Sequence, residues 1–103
     1  MKKVIGGKLY DTRTADLIAD CGGGNGRSDF RWFNEGLYKT KKGAFFLCGE
    51  GGPMTRWASS CSDGSRSSGE GITPLEPWEA RSWCEHADVP ADTIAAHFDV
   101  EEA

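Results

Sequence analysis

A glycine-rich stretch followed by an arginine and a tryptophan is the first place where this sequence could do chemistry. Residues 49–57 read GEGGPMTRW and follow the apolar run AFFLC. Arginine offers forked donors to a phosphate and tryptophan offers a flat face to a base, so Arg56 and Trp57 suit a nucleotide. However, the stretch lacks the lysine of a P-loop and the third glycine of a dinucleotide fingerprint, and Pro53 has no backbone N–H. The pattern therefore favours a turn that ends a strand, with Arg56 and Trp57 as candidate ligand contacts.

Four cysteines and two histidines are the other residues with nucleophilic or metal-binding chemistry. Cys21, Cys48, Cys61 and Cys84 lack the C-x-x-C spacing that is typical of a structural zinc site. A Cys48–His97 pair is an arrangement for nucleophilic catalysis that the sequence leaves open. No motif predicts a metal ion or another cofactor, and we expect a protein that is not an enzyme.

The elements that must position these residues are strands first and helices last. VIGGKLYD (4–11) predicts a small hairpin with a glycine turn, or a bulge. Residues 11–20 fit either a short helix or a strand, and we favour the strand. Two β-rich runs around Lys-Lys-Gly predict a central hairpin over about 31–49. ITPL (72–75) predicts a last short strand.

Hydrophobic spacing changes from strand to helix in the last third of the chain. Ala80, Trp83, Cys84 and Ala87 recur at helical spacing after Pro77, and a second helix is predicted over about 90–98. This order predicts an α+β domain, in which a small antiparallel sheet of three to five strands carries two C-terminal helices on one face.

Length and composition predict one domain across residues 1–103. We expect residues 1–58 to be mainly β, 59–71 to form a flexible Ser/Gly loop, 72–98 to be mainly helical and 99–103 to form an acidic tail. No stretch approaches the roughly 20 apolar residues of a membrane span, and the start of the chain does not read as a secretion signal. These patterns predict a cytoplasmic protein with reduced thiols and no membrane partner.

Charge is divided unevenly along the chain. Residues 1–43 carry nine Lys/Arg and five Asp/Glu, whereas residues 44–103 carry three and eleven. The acidic residues of the second half either form solvent-exposed helix faces or contact a basic surface of a partner protein. The candidate partner contacts on this acidic face are Glu76, Glu79, Glu85, Asp88, Asp92, Asp99, Glu101 and Glu102. A second candidate set of ligand or partner contacts consists of Lys41, Lys42, Glu50, Arg56 and Trp57.

Basic residues interleaved with aromatics occur near the predicted hairpin tip. Lys39, Lys41 and Lys42 lie close in sequence to Arg31 and Trp32, a mixture that can follow a single nucleic-acid strand. The protein is acidic overall, and lysines on a hairpin also protect sheet edges from aggregation. We therefore expect no direct nucleic-acid binding. Nine aromatic side chains cannot all be buried in so small a core, so they either form the core and its rim or contribute to a partner or homodimer surface. They are Phe30, Trp32, Phe33, Tyr38, Phe45, Phe46, Trp57, Trp78 and Trp83.

Three segments resemble a family of short proteins carried by phages, plasmids and other mobile elements of Gram-positive gut bacteria. They read KKVIGGKLYDTRTADLIA, FNEGLYKTKKGAFFLCGEGGPMTRWA and EGITPLEPWEARSWCE. The resemblance spans roughly residues 2–98, apart from loops 21–28 and 59–68. It implies a counter-defence protein of the anti-CRISPR kind, and it implies no activity or cofactor.

The function predicted from charge and resemblance together is stoichiometric inhibition of a bacterial immune effector, such as a CRISPR-associated protein, through an acidic and aromatic surface. One alternative is a dimeric sponge that sequesters a nucleotide immune signal with Lys41, Arg56, Trp57 and the backbone of residues 49–52. Another alternative is an accessory interaction protein of the mobile element with no defence role.

Overall fold

A four-stranded antiparallel sheet forms the centre of the molecule. The computed structural model describes residues 1–26 and 28–103, and in this part of the chain the strand order of the central sheet is β3-β4-β5-β8. The elements are β1 (Lys2–Ile5), β2 (Lys8–Asp11), β3 (Asp16–Gly23), β4 (Phe33–Lys39), β5 (Phe45–Gly51), β6 (Ser59–Ser60), β7 (Arg66–Ser67), β8 (Gly69–Leu75), α1 (Pro77–His86) and α2 (Ala91–His97). The predicted α+β architecture is confirmed.

The two middle strands are covered on both faces. Alternate residues of β5 point to opposite sides of the sheet, so Phe45 and Leu47 face one layer and Phe46 faces the other. All three side chains are buried. This explains why the sequence reads as a continuous apolar run at this point. The predicted central hairpin corresponds to β4 and β5, which pair from Phe33 with Gly51 to Lys39 with Phe45.

One face of the sheet is covered by the β1–β2 hairpin. Gly6 and Gly7 both have positive φ, at 59° and 79°, which is the conformation that a tight two-residue hairpin turn requires. Tyr10 of this hairpin meets Phe46 edge-on with ring centroids 5.4 Å apart, and Tyr38 stacks on Phe46 at 5.3 Å. Of the predicted alternatives at 4–11, the hairpin is therefore correct.

The opposite face is covered by the two helices. Pro77 begins α1 and Glu76 is its N-cap, whose backbone N–H donates to Oε1 of Glu79 at 2.9 Å. Ala80 and Cys84 face the sheet and are fully buried, as the helical spacing predicts. Phe98, just after α2, stacks on Phe45 with centroids 4.9 Å apart.

Three segments refine the sequence prediction. The favoured strand over 11–20 is confirmed as β3, with a bulge between Leu17 and Ala19. The segment 59–71 is not all loop, because β6 and β7 pair as a short hairpin and β8 already begins at Gly69. Glycines 69 and 71 pair in register with glycines 51 and 49 of β5, so the strand extends without bulky side chains. No helix in the described part of the chain is long and apolar enough to cross a membrane.

Candidate functional site

The glycine-rich stretch after β5 folds back over the sheet. The backbone N–H of Gly52 donates to the carbonyl of Trp32 at 2.7 Å, and the Met54 N–H donates to that of Phe30 at 2.9 Å. The Thr55 hydroxyl closes the turn by donating to the Gly52 carbonyl at 2.8 Å. These bonds direct Trp57 onto the helix-facing side of the sheet, where it is buried with 6% of its surface exposed.

Gly49 is the residue that makes room for this ring. A Cβ atom at position 49 would lie 2.5 Å from Cε2 of Trp57, which is closer than atoms can approach. At the cross-strand partner Gly71, the nearest Trp57 atom would be 3.8 Å from a Cβ, which is ordinary contact. The glycine of GEGG at position 49 therefore serves the packing of an indole against the strand backbone, as the structural interpretation of the motif predicts.

A buried carboxylate holds this indole and a second one. Glu35 of β4 is only 7% exposed. Its Oε1 accepts the Nε1–H of Trp57 at 2.9 Å, and its Oε2 accepts the Nε1–H of Trp83 in α1 at 2.5 Å. The guanidinium of Arg56 lies 3.9 Å from Oε2, with 52% of the side chain exposed. We call Glu35, Arg56, Trp57 and Trp83 the Glu35 cluster.

The Glu35 cluster joins a central strand, the loop after β5 and helix α1. Both carboxylate oxygens already accept an indole N–H, and the nearby guanidinium balances the negative charge. Among the described residues, no buried side-chain nitrogen or oxygen lacks a hydrogen-bond partner. The Glu35 cluster is therefore a structural hydrogen-bond network inside the core, and Arg56 is its exposed member.

The sequence prediction missed Glu35 because its partners are 22 and 48 residues away in the chain. A local signal was nevertheless present. Phe33, Glu35 and Leu37 alternate on the inward face of β4, so a charged residue stands at a core position. A charge in that pattern indicates a buried partner elsewhere in the sequence.

Cys48 and His97 do not come together as a nucleophile and its base. Cys48 packs on the hairpin side of the sheet, whereas His97 belongs to α2 on the other side, so the open Cys48–His97 arrangement is excluded. Burial raises the pKa of the Cys48 thiol, and Glu70 and Glu50 raise it further against a lowering effect of the N-terminal ammonium. Burial likewise raises the pKa of Cys84 and, with a contribution from Glu35, that of Cys21. A raised thiol pKa disfavours the reactive thiolate at neutral pH.

The predicted acidic contacts lie in one layer. Both helices pack on the same side of the sheet, so the acidic residues of the helices and of the turns next to them share this side. The last three acidic residues follow the end of α2, and we call the whole set the acidic helical layer. Its members are Glu76, Glu79, Glu85, Asp88, Asp92, Asp99, Glu101 and Glu102. All are exposed except Glu79, which is half-buried and accepts the hydrogen bond that begins α1.

The second predicted set of contacts does not come together. Lys41 and Lys42 lie in the turn between β4 and β5, whereas Glu50 lies near the other end of β5. Arg56 is exposed in the Glu35 cluster, and the Trp57 ring is in the core. Because Trp57 is buried against Gly49, its face does not offer the base-stacking platform that a nucleotide contact with Arg56 requires.

An exposed tryptophan lies on the acidic helical layer. Trp78 in the first turn of α1 has 65% of its surface exposed. It lines two open grooves, one of about 650 Å³ that includes Arg81 and Phe98, and one of about 310 Å³ that includes Arg56 and Trp83. In the described residues, no group of three His, Cys, Asp or Glu side chains is placed to hold a metal ion.

Comparisons with known proteins give no relative on which to base a function. No protein-family model matches the chain, and neither the curated proteins nor the solved structures searched gave a significant match.

Proposed function

We propose that this protein acts by binding another protein through its acidic helical layer, as a stoichiometric inhibitor of a bacterial immune effector. The observation that carries the proposal is the charge of this layer. Residues 76–103 hold eight carboxylate side chains and one arginine, Arg81. A surface of this kind is complementary to a basic channel that normally holds nucleic acid.

The resemblance to mobile-element proteins supports the choice of partner. Effectors of CRISPR systems hold guide and target strands in positively charged channels, which an acidic surface can occupy in their place. Inhibition then requires no catalytic group, in agreement with a cluster whose carboxylate is fully engaged by two indoles.

Trp78 supplies the apolar anchor of this surface. Tryptophan is the residue type most enriched among interface hot spots, and an exposed ring surrounded by charged residues fits an anchor with a polar rim. Trp78 lines both grooves, so a partner side chain that enters either groove can pack against it.

The test begins with tagged protein and a lysate from cells with an active CRISPR system. Proteins released by a salt step are identified, and the released effector is purified and assayed for target cleavage with equimolar inhibitor. We expect release as salt rises, because exposed charges are screened beyond about 8 Å at 0.15 M ionic strength.

Matched variants separate the acidic helical layer from general acidity. Glu85→Lys with Asp92→Lys reverses two exposed charges of the layer, and Trp78→Ala removes its anchor. Glu70→Lys with Asp20→Lys reverses two exposed charges on strands β8 and β3, outside the helices. We expect the first two variants to lose effector binding and the third to keep it. Equal retention of the effector by all three variants, or retention of no immune effector by the wild type, would refute the proposal.

A further inference from the structure

A cleft with three lysines lies on the side of the sheet opposite the acidic helical layer. It is formed where the β1–β2 hairpin meets the turn between β4 and β5, and its volume is about 540 Å³. This volume is in the range of sites for small ligands, roughly 300–1,000 Å³. Its lining includes Lys8, Lys41, Lys42, Thr14, Thr40 and Tyr10, and we call it the hairpin cleft.

The lysines of the hairpin cleft are not explained by protection of a sheet edge. Lys41 and Lys42 join β4 to β5, and these are the two inner strands of the four-stranded sheet. Inner strands are hydrogen-bonded to a neighbouring strand on both sides, so they need no charged residue to prevent edge-to-edge association. Lys8 reaches the same cleft from a segment more than 30 residues earlier in the chain. Two distant parts of the sequence therefore place positive charge around one concave space.

Few negative groups oppose these lysines. Lys41 Nζ is 3.5 Å from Asp16 Oδ1, but both side chains are highly exposed, and such ion pairs contribute little. Asp11 also lines the cleft, and its Oδ1 accepts the backbone N–H of Arg13 at 2.9 Å. The residues that line the cleft thus include three lysines and one acidic residue, Asp11.

The remaining lining suits an anion with an organic part. Thr40 Oγ1 accepts the Ala44 N–H at 3.0 Å, and a hydroxyl that accepts one hydrogen bond can still donate one to a ligand oxygen. Leu9, Tyr10 and Ala44 add an apolar wall. Ammonium groups bind phosphate as point charges, and hydroxyls donate to its oxygens.

We propose that the hairpin cleft binds a small ligand that carries two or more phosphate groups. The site is independent of the acidic helical layer, because the sheet separates the two. It is also distinct from the Arg56–Trp57 pair that the sequence suggested for a nucleotide, although it includes Lys41 from the same predicted set.

Titration with inorganic pyrophosphate tests the proposal. We expect backbone amide shifts in ¹H–¹⁵N spectra to concentrate at residues 7–14 and 40–44. We expect calorimetry to show roughly tenfold weaker binding for Lys8→Gln and for Lys41→Gln, since a charge-assisted hydrogen bond is lost. Asp16→Asn should tighten binding, because it releases Lys41 from its ion pair with Asp16 without changing the cleft lining.

Lys39→Gln is the matched control. It removes the same charge two positions before Lys41, but Lys39 Nζ lies over the Phe45 ring, 5.5 Å from its centroid, on the helix side of the sheet. The Lys39→Gln variant should bind pyrophosphate with the same affinity as the wild type. Three outcomes would overturn the proposal: no amide shifts up to about 10 mM pyrophosphate, equal loss of affinity in the Lys39 and Lys41 variants, or binding of a single-stranded oligonucleotide without binding of pyrophosphate.

Discussion

Replacing Glu35 with alanine should destabilise the protein more than any exposed acidic substitution. The change removes the acceptor of two indole N–H groups, at 2.9 and 2.5 Å. A hydrogen bond to a charged group contributes roughly 1.5–3 kcal/mol. Trp57 is buried and cannot regain a water partner, whereas Trp83 is half-buried and can. We therefore expect a loss of about 4 kcal/mol in the free energy of unfolding.

The loss is large relative to the whole stability of a domain of this size, which is about 5–15 kcal/mol. It should lower Tm by more than about 15 °C. Urea and thermal unfolding followed by tryptophan fluorescence measure it, since Trp57 and Trp83 are two of the four tryptophans that report on unfolding. Glu35→Gln retains one carbonyl acceptor but turns an amide donor towards the second indole, so it should lose about half as much.

Glu70→Ala is the control, because Glu70 is exposed on the edge strand β8 and its loss should stay within about 0.5 kcal/mol. The reasoning fails if Glu35→Ala is no less stable than Glu70→Ala. Such a result would mean that the two indoles pack equally well without their shared acceptor.

Three further substitutions test the fold at other points. Gly49→Ala should lower the free energy of unfolding in urea by about 2 kcal/mol, because the new Cβ would lie 2.5 Å from Trp57. Gly71→Ala, whose Cβ would lie 3.8 Å from Trp57, should lower it much less. Equal losses in the two variants would contradict the role of Gly49 in packing Trp57. Asp29 accepts two backbone N–H groups that hold its pKa below the usual range, so its stabilising effect is present above the ordinary aspartate pKa and is lost as pH falls through the lower folded value. Asp29→Asn should therefore flatten the acid limb of unfolding free energy against pH, and an unchanged slope would count against this role. Asp88→Gly should raise Tm and add about 0.5–1 kcal/mol to the free energy of unfolding, since position 88 has φ of 58°, where glycine is unstrained. A lower Tm would show that the aspartate side chain stabilises the fold by more than the backbone strain destabilises it.

Local patterns predicted much of the fold. The hairpin of β4 and β5 followed from two β-rich runs around a lysine-glycine turn, and α1 followed from apolar spacing after Pro77. The segment 11–20 left two alternatives because the bulge between Leu17 and Ala19 interrupts the alternation expected of a regular strand. The pairing of β6 with β7 gave no signal, since two-residue strands rich in serine have no hydrophobic period.

The candidate sites were less predictable, because they depend on contacts between distant residues. The acidic residues of the helices could be expected at the surface, but the role of Glu79 in beginning α1 depends on local geometry. The sequence makes Trp57 a candidate ligand contact, whereas in the structure its ring is buried in the core against Gly49. The hairpin cleft requires Lys8 to lie beside Lys41 and Lys42, and nothing in the sequence specifies how the first hairpin packs.

The shared carboxylate of Glu35 also has a consequence for how the chain folds. The β4–β5 hairpin is local and can form early, whereas the Trp83–Glu35 contact joins residues 48 positions apart and should form later. The indole of Trp57 can bind the carboxylate once the loop after β5 has closed, 22 residues away. In stopped-flow refolding we expect a fast fluorescence change on loop closure and a slower one on docking of α1, and Trp83→Phe should reduce the amplitude of the slower change. The two tryptophans that share the Glu35 carboxylate would therefore report on two different folding steps: Trp57 on loop closure and Trp83 on helix docking.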